Sequence, residues 1–155
     1  MPTDTASSSS GDCNCLAIRQ AARHVTQFYD HHLAPSGLRT TQFSILAKLQ
    51  RLGPMTINAL AADMVMDRTT LGRNILPLER GRLIVIEQGV RDRRTKELHL
   101  TQAGAERLRG AVKRWAAAQS GFEAAFGPER SAELRGLLRT VVAVHLGPAA
   151  EGARA

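Results

Sequence analysis

The segment of residues 54–104 constrains the fold more than any other part of the sequence. It contains two good helix N-caps, Thr56 and Asp67, whose side-chain oxygens can accept hydrogen bonds from the first free N–H groups of a helix. The helix after Asp67 has an apolar face at helical spacing, formed by Leu71, Ile75 and Leu78. Gly81 is placed to end this helix in the left-handed conformation. The sequence therefore predicts two short, closely joined helices.

A β-hairpin with a basic tip is predicted directly after these helices. Residues 83–88 are mainly aliphatic, residues 97–101 alternate apolar with polar, and residues 89–96 form a polar loop between them. From residue 68 to residue 96, eight lysines and arginines stand against three acidic residues, a net +5 within a chain of formal charge +7. Tandem helices followed by such a hairpin are typical of a winged helix-turn-helix, and the concentrated charge favours binding to the phosphates of duplex DNA.

Three motifs, taken in their order and spacing, make the chain similar to the MarR family of bacterial winged-helix regulators. They are the segments 67–74 (DRTTLGRN), 77–84 (PLERGRLI) and 92–104 (DRRTKELHLTQAG). The resemblance extends from about Cys15 to Leu146. It implies a mainly α fold with a small β-hairpin wing, in which a winged helix-turn-helix is flanked by N- and C-terminal dimerisation helices. The activity it implies is sequence-specific binding of double-stranded DNA to regulate transcription.

The predicted organisation places the DNA-binding region between two helical segments. Residues 39–101 are predicted to form the winged helix-turn-helix, and residues 12–38 and 102–147 the helical dimerisation region. Residues 1–11 are predicted to be a disordered tail, and residues 148–155 a flexible one. The flanking helices are predicted at about 14–33, 40–52 and 102–122, with a last helix that starts again at Gly127-Pro128.

The last helix has an apolar stripe, formed by Leu134, Leu137, Leu138, Val141, Val142 and His145. One small winged helix cannot cover all of the flanking helices, and exposed apolar stripes of this size usually mark a partner. A homodimer is therefore expected, and its symmetry would match a pseudo-palindromic operator. The alternative is a helical bundle completed within a single chain.

The residues predicted to contact DNA lie at helix starts, on the second helix of the helix-turn-helix and on the hairpin: Thr41, Thr56, Arg68, Thr69, Thr70, Arg73, Asn74, Arg91, Arg93, Arg94 and Lys96. Arginine can bond bidentately to guanine, and asparagine to adenine. Threonines at helix N-termini can offer donors to phosphate or can act simply as caps. A solvated helix face and a solvated hairpin are the alternatives.

The resemblance assigns further roles within this region. It implies that one wing-tip arginine, Arg93 or Arg94, reaches the minor groove, while Asp92 steadies an arginine beside it. Pro77 lies inside the predicted recognition helix, where it removes a backbone hydrogen bond. We expect the helix to bend or loosen past Leu76, so that base contacts stay in its first half.

The resemblance also implies a repressor that is released by a small aromatic or phenolic effector. Candidate pocket residues are Arg23, Phe28, Tyr29, His32, Phe43 and Met64, each of which could equally be ordinary core or surface.

An oxidant-sensing repressor that uses Cys15 is an alternative, because N–H groups at a helix start favour a thiolate. However, Thr40 stands where the peroxide-sensing branch of the family tends to carry a tyrosine, and a buried, inert Cys15 remains possible. Cys13 is expected in the continuation of the tail, and a DNA-binding protein without an effector is the remaining alternative.

Other classes of function find little support in the sequence. No motif joins an acid, a base and a nucleophile, so neither an enzyme nor a cofactor is predicted. A metal site formed by Cys13, Cys15, His31 and His32 is not expected, because Cys-x-Cys is shorter than the usual zinc spacing.

No apolar run approaches the roughly 20 residues of a membrane span, and residues 1–11 do not resemble a secretory signal. Two cysteines one residue apart are expected to stay thiols in a reducing compartment, which indicates the cytoplasm.

Overall fold

The computed structural model describes residues 12–147, and the predicted tails, 1–11 and 148–155, lie outside this range. The helices are α1 (Asn14–Leu33), α2 (Thr40–Leu52), α3 (Ile57–Asp63), α4 (Arg68–Arg80), α5 (Gln102–Phe126) and α6 (Pro128–Ala143), with a 3-10 turn at Ala34–Ser36. The strands are β1 (Met55–Thr56), β2 (Ile84–Gln88) and β3 (Lys96–Leu100). The predicted mainly α fold with a small hairpin wing is confirmed. None of the helices described is long and apolar enough to cross a bilayer.

The two predicted N-caps of the helix-turn-helix are present. Thr56 Oγ1 accepts a hydrogen bond from the N–H of Ala59 at 3.1 Å, and Asp67 Oδ1 accepts one from the N–H of Thr70 at 2.8 Å. Helix α4 continues through Pro77 to Arg80, and the N–H of Gly81 donates to the Pro77 carbonyl at 2.9 Å. The last turn of α4 is therefore formed despite the proline.

The prediction that Gly81 supplies the left-handed end of α4 is wrong by one residue. Gly81 has φ −76°, whereas Arg82 has φ 56°. The N–H of Leu83 donates to the Leu78 carbonyl and that of Arg82 to the Glu79 carbonyl, both at 2.9 Å, the hydrogen bonds of a Schellman motif. Glycine at position 81 instead avoids a close contact, because a Cβ there would lie 3.2 Å from the Pro77 carbonyl oxygen.

Helix α3 ends in the same way, with Val65 in the left-handed position. Val65 has φ 50°, and the N–H groups of Met66 and Val65 donate to the carbonyls of Ala61 and Ala62 at 2.9 and 3.1 Å. A β-branched residue is rarely found in this conformation because its side chain crowds the backbone. The tight turn of the helix-turn-helix therefore holds a strained residue.

The sheet contains a strand that the sequence did not predict. Its order is β1-β3-β2, and both pairings are antiparallel. β1 pairs Met55 with Leu98 and Thr56 with Glu97, which adds the segment between α2 and α3 to the hairpin. The wing is therefore anchored to the helix-turn-helix on one side.

Thr101 and Gly104 fasten the wing to α5. Thr101 Oγ1 donates to the carbonyls of Arg82 and Leu83 and accepts from the N–H of Gly104 at 3.0 Å. A Cβ at Gly104 would lie 2.0 Å from the Leu83 carbonyl oxygen. Only glycine lets α5 start this close to β2, which gives a physical reason for the Leu-Thr-x-x-Gly sequence after the wing.

The core joins the winged helix to α1 and α5. The largest fully buried side chains are Leu33, Ile45, Leu46, Leu60, Leu71, Leu78, Ile84 and Leu98. Phe43, Leu46 and Leu49 of α2 are buried. By contrast, Leu137, Leu138, Val141 and Val142 of the predicted apolar stripe and much of α1 are exposed in the single chain, whereas Leu134 is half-buried and His145 lies beyond the end of α6. α5 extends one turn beyond the predicted end, to Phe126.

Candidate nucleic-acid interface and sensory region

The first half of α4 presents an exposed polar surface. Arg68, Thr69 and Arg73 are exposed, whereas Leu71 and Ile75 face the core. Among residues 12–147, neither Arg68 nor Arg73 has a carboxylate within 4.0 Å. Their guanidinium groups are therefore available to phosphates or to base edges.

Thr70 and Asn74 are held by α4 itself. Thr70 Oγ1 donates to Asp67 Oδ2 at 2.6 Å, and Asn74 Nδ2 donates to the Thr70 carbonyl at 2.9 Å. The hydrogen bond from the Thr70 hydroxyl, followed by that from its backbone N–H, lowers the pKa of Asp67. Thr70 therefore reinforces the start of α4, and its hydroxyl proton is already engaged. Asn74 is half-buried, and its amide would have to leave the Thr70 carbonyl to bond an adenine.

The wing tip is shaped by Asp92. Its Oδ1 accepts from the N–H of Arg94 at 2.9 Å, and its carbonyl accepts from the N–H and the hydroxyl of Thr95 at 3.0 and 2.8 Å. Asp92 thus steadies the backbone of Arg94, whereas no ion pair between Asp92 and a guanidinium occurs in the part of the chain described. Arg91, Arg93 and Arg94 are exposed at this tip.

The remaining predicted DNA contacts lie at the edges of this surface. Thr41 is the second residue of α2 and is half-buried, while the oxygen of Thr56 is occupied by its capping bond. Lys96 is exposed at the start of β3, opposite Gln88. A role in DNA binding stays a prediction for all three.

The six predicted effector-pocket residues do not line one cavity. Phe28 lines a cavity of about 290 Å³ between α1 and α5, and Tyr29 lines one of about 480 Å³ between α1, α5 and α6. Phe43 stacks on Trp115 with ring centroids 5.8 Å apart, and Met64 packs against the core. Arg23 is exposed, and His32 Nδ1 lies 2.9 Å from the Phe28 carbonyl oxygen.

Each of the two cavities has a distinct chemical character. The smaller one is aromatic and is lined by His24, Val25, Phe28, Gly121, Phe122, Ala125 and Phe126. In the larger one, the Tyr29 hydroxyl donates to Gln119 Oε1 at 2.6 Å. Burial, followed by the charge of Glu123, raises the pKa of Tyr29, and Arg135 opposes this effect. Phe122 and Phe126 were not predicted as pocket residues from the sequence, although their spacing of four residues places them on one helical face.

Both cysteines are exposed at the start of α1. Cys13 is the N-cap, and its Sγ accepts a hydrogen bond from the N–H of Leu16 at 3.4 Å, so its placement in the continuation of the tail was wrong. The alternative of a buried Cys15 is also wrong for the single chain. His31 lies 16 residues beyond Cys15 on the same helix, about 24 Å away at the usual rise of 1.5 Å per residue. These cysteines and histidines therefore cannot share a metal within one chain.

Comparisons with known proteins agree with this geometry. The model of the MarR family matches residues 38–96. The HTH-type transcriptional regulator YwoH of Bacillus subtilis (strain 168) is 33% identical over 85 residues, which span 55% of this chain and 61% of that protein. The M. tuberculosis transcriptional regulator MosR, solved in complex with DNA, is 36% identical with a TM-score of 0.74, covering 87% of this chain and 100% of that one.

A second DNA-bound structure shows the same architecture. The transcriptional repressor CouR, bound to a 23-mer duplex, is 25% identical with a TM-score of 0.76, and the match covers 85% of this chain and 94% of that one. The chain belongs to the MarR family of winged-helix transcriptional regulators, which are DNA-binding proteins rather than enzymes.

Proposed function

We propose that the protein is a homodimeric repressor that binds a pseudo-palindromic operator, with α4 in the major groove and the wing in the adjacent minor groove. The observation that carries this proposal is the shared exposure of four guanidinium groups without carboxylate partners among the residues described: Arg68, Arg73, Arg93 and Arg94. The similarity to MosR and CouR, both solved on DNA, supports this arrangement.

The apolar surfaces of the terminal helices support a dimer. Large apolar side chains are exposed on α1 and on α6 and its continuation: Leu16, Ile18, Leu137, Leu138, Val141, Val142, Val144 and Leu146. Burial of apolar surface stabilises an interface by roughly 25 cal/mol per Å² before the costs of association. The cavity of about 480 Å³ between α1, α5 and α6 continues this surface. A second copy of the chain would cover all of these features.

We expect a dimer at micromolar concentration whose affinity for duplex DNA falls steeply with salt. Each neutralised phosphate releases counterions, and six to ten such contacts would reduce affinity by about 10³–10⁵ between 50 and 200 mM salt. The measurement is fluorescence anisotropy with a duplex selected from a random library, together with sedimentation of the free protein. A monomer, or an affinity indifferent to salt, would contradict the proposal.

Release from the operator has two candidate triggers. The aromatic walls of the Phe28 cavity, with one imidazole from His24, suit a small aromatic acid or phenol. The exposure of both thiols at the start of α1 makes oxidation the second candidate, and Cys15, within the first turn, is the thiol proposed to respond. Either event would act on helices of the proposed dimer and so could change the separation of the two recognition helices.

One experiment separates the two triggers. The operator complex is treated with benzoate, salicylate or 4-hydroxybenzoate, and separately with mild peroxide. Gly121→Leu should abolish release by the aromatic compounds, because even a Cβ at Gly121 would lie 3.1 Å from Phe28 Cζ. Gly110→Leu is its control, because a Cβ there would meet no atom within 4 Å beyond the adjoining residues and backbone of its own helix. Cys15→Ser should abolish release by peroxide. A complex that resists every treatment would contradict both proposed triggers.

A further inference from the structure

The first turn of α2 is capped by a residue of α1. The N-cap of α2 is Arg39, whose side chain offers donors and no acceptor for the free N–H groups. The acceptor comes from Asp30, whose Oδ1 receives hydrogen bonds from both the N–H and the hydroxyl of Thr40, each at 2.7 Å. Asp30 Oδ2 also lies 3.6 Å from the Arg39 guanidinium. One carboxylate therefore holds the last part of α1 to the start of α2.

The chain between these helices has the geometry of a joint. It passes through the 3-10 turn Ala34–Ser36 and then through Gly37, which has φ 73°. No continuous helix connects α1 to α2, so the polypeptide between them does not by itself fix the angle between the helices. Hydrogen bonds from a carboxylate to helix-start N–H groups are charge-assisted and stronger than neutral ones. Leu33 and Leu38, which are buried in the core, restrain this linker, and the carboxylate of Asp30 adds the charge-assisted contact between the two helices.

The two helices belong to different parts of the proposed assembly. α1 packs on α5 and presents the apolar surface assigned above to a second copy. α2 places Phe43, Ile45, Leu46 and Leu49 in the core of the winged helix. Asp30 therefore spans the boundary between the dimerisation helices and the DNA-binding region.

We propose that Asp30 is a positioning residue, which sets the angle of the winged helix on the dimerisation helices and thereby the separation of the two recognition helices. This inference rests on the proposed dimeric function. It makes a specific claim about DNA, since inserting one base pair between half-sites both shifts and rotates one of them. A dimer with a fixed angle discriminates between such sites, whereas a dimer with a loosened joint tolerates both.

The test compares operators that differ only in half-site separation. The duplex is the one that wild-type protein selects from a random library, remade with one base pair added at its centre. Wild type should bind the lengthened site about tenfold more weakly, within the range that a disturbed base pair costs. In Asp30→Ala this ratio should fall below about threefold. Asp30→Asn, which keeps an oxygen acceptor for Thr40, should retain most of the discrimination.

A matched control removes a carboxylate that does not cross this boundary. Asp63 on α3 forms an ion pair with Lys48 on α2, so both partners lie within the winged helix. Asp63→Ala should keep the spacing discrimination of wild type. A merely structural loss in Asp30→Ala would weaken binding to both duplexes by one common factor, and the ratio would not move.

A readout without DNA is available in the single tryptophan. Trp115 of α5 stacks on Phe43 of α2, so its fluorescence reports how α2 sits against α5. Asp30→Ala should increase quenching of Trp115 by acrylamide, while Asp63→Ala should not. If wild type is monomeric or selects no duplex with two half-sites, the proposed dimeric function fails, whereas a dimeric wild type without a spacing preference overturns the role of Asp30. If wild type discriminates and a folded, dimeric Asp30→Ala keeps both the discrimination and the quenching, the role of Asp30 is overturned while the function stands.

Discussion

Gly104→Ala is expected to destabilise the protein by about 3 kcal/mol, near the upper end for an added methyl group in a packed site. The new Cβ would lie 2.0 Å from the Leu83 carbonyl oxygen and 2.7 Å from Leu100 Cδ1. The carbonyl cannot move aside easily, because it accepts hydrogen bonds from both the N–H and the hydroxyl of Thr101. Relief of the clash therefore requires α5 to move away from β2, which breaks the junction that holds the wing.

Urea unfolding at one fixed protein concentration measures this effect, since the stability of the proposed dimer would depend on concentration. Gly110→Ala is the matched control in the same helix, because a Cβ there would meet no atom within 4 Å beyond the adjoining residues and backbone of that helix. It should stabilise the protein by about 0.5–1 kcal/mol through the higher helix propensity of alanine. If the free energy of unfolding falls in Gly104→Ala and rises in Gly110→Ala, then steric contact, and not helix propensity, decides the result at Gly104. A loss below 1 kcal/mol at Gly104 would contradict the packing described here.

Local hydrogen-bond chemistry explains why the helix starts could be predicted. Thr56, Asp67 and Thr101 each carry an oxygen that reaches an N–H three residues later, and this geometry depends on no distant part of the chain. The helix end at Gly81 was predicted less well. A glycine there indicates a turn, but in the structure it is Arg82 and not Gly81 that adopts the positive φ.

Long-range contacts account for what the sequence did not reveal. β1 has two residues, too few for an alternating pattern, and it exists because β3 lies beside it. The aromatic cavity combines Phe28 of α1 with Phe122 and Phe126 of α5, so it depends on how two distant helices pack. Likewise, Asp30 appears as an ordinary acidic residue of α1 until the turn at Gly37 brings Thr40 to it.

Arg73→Ala and Arg94→Ala are expected to weaken DNA binding in different ways. Arg73 is exposed in the first half of α4, the part proposed to lie in the major groove. A bidentate contact to guanine is worth about 1–3 kcal/mol, so Arg73→Ala should reduce affinity for the selected duplex by roughly 5- to 150-fold. The variant should also lose its preference at one base pair of each half-site. Anisotropy titrations against duplexes changed at single positions would locate that base pair.

Arg94 has a backbone held by Asp92 and a side chain exposed at the wing tip. A guanidinium in the minor groove gains mainly from the electrostatic potential there, which distinguishes bases poorly. Arg94→Ala should therefore weaken binding to all duplexes by similar factors and reduce the slope of log affinity against log salt by about 1. Asp92→Ala frees the backbone of Arg94 but also removes a negative charge from the wing tip, so a loss of affinity in this variant would report the position of Arg94 and not the net charge.

The control for both substitutions is Arg109→Ala, which removes one positive charge from the exposed surface of α5, where Arg109 lies 4.0 Å from Glu106. If net charge alone governed affinity, all three arginine variants would weaken binding equally, since each lowers the charge of the chain by one. The position of the charge governs affinity if Arg109→Ala binds DNA with nearly wild-type affinity, while Arg73→Ala and Arg94→Ala differ from it in salt slope and base preference. Equal, near-zero losses in folded, dimeric Arg73→Ala and Arg94→Ala would remove both residues from the interface, and α4 and the wing would then have to contact DNA through other side chains.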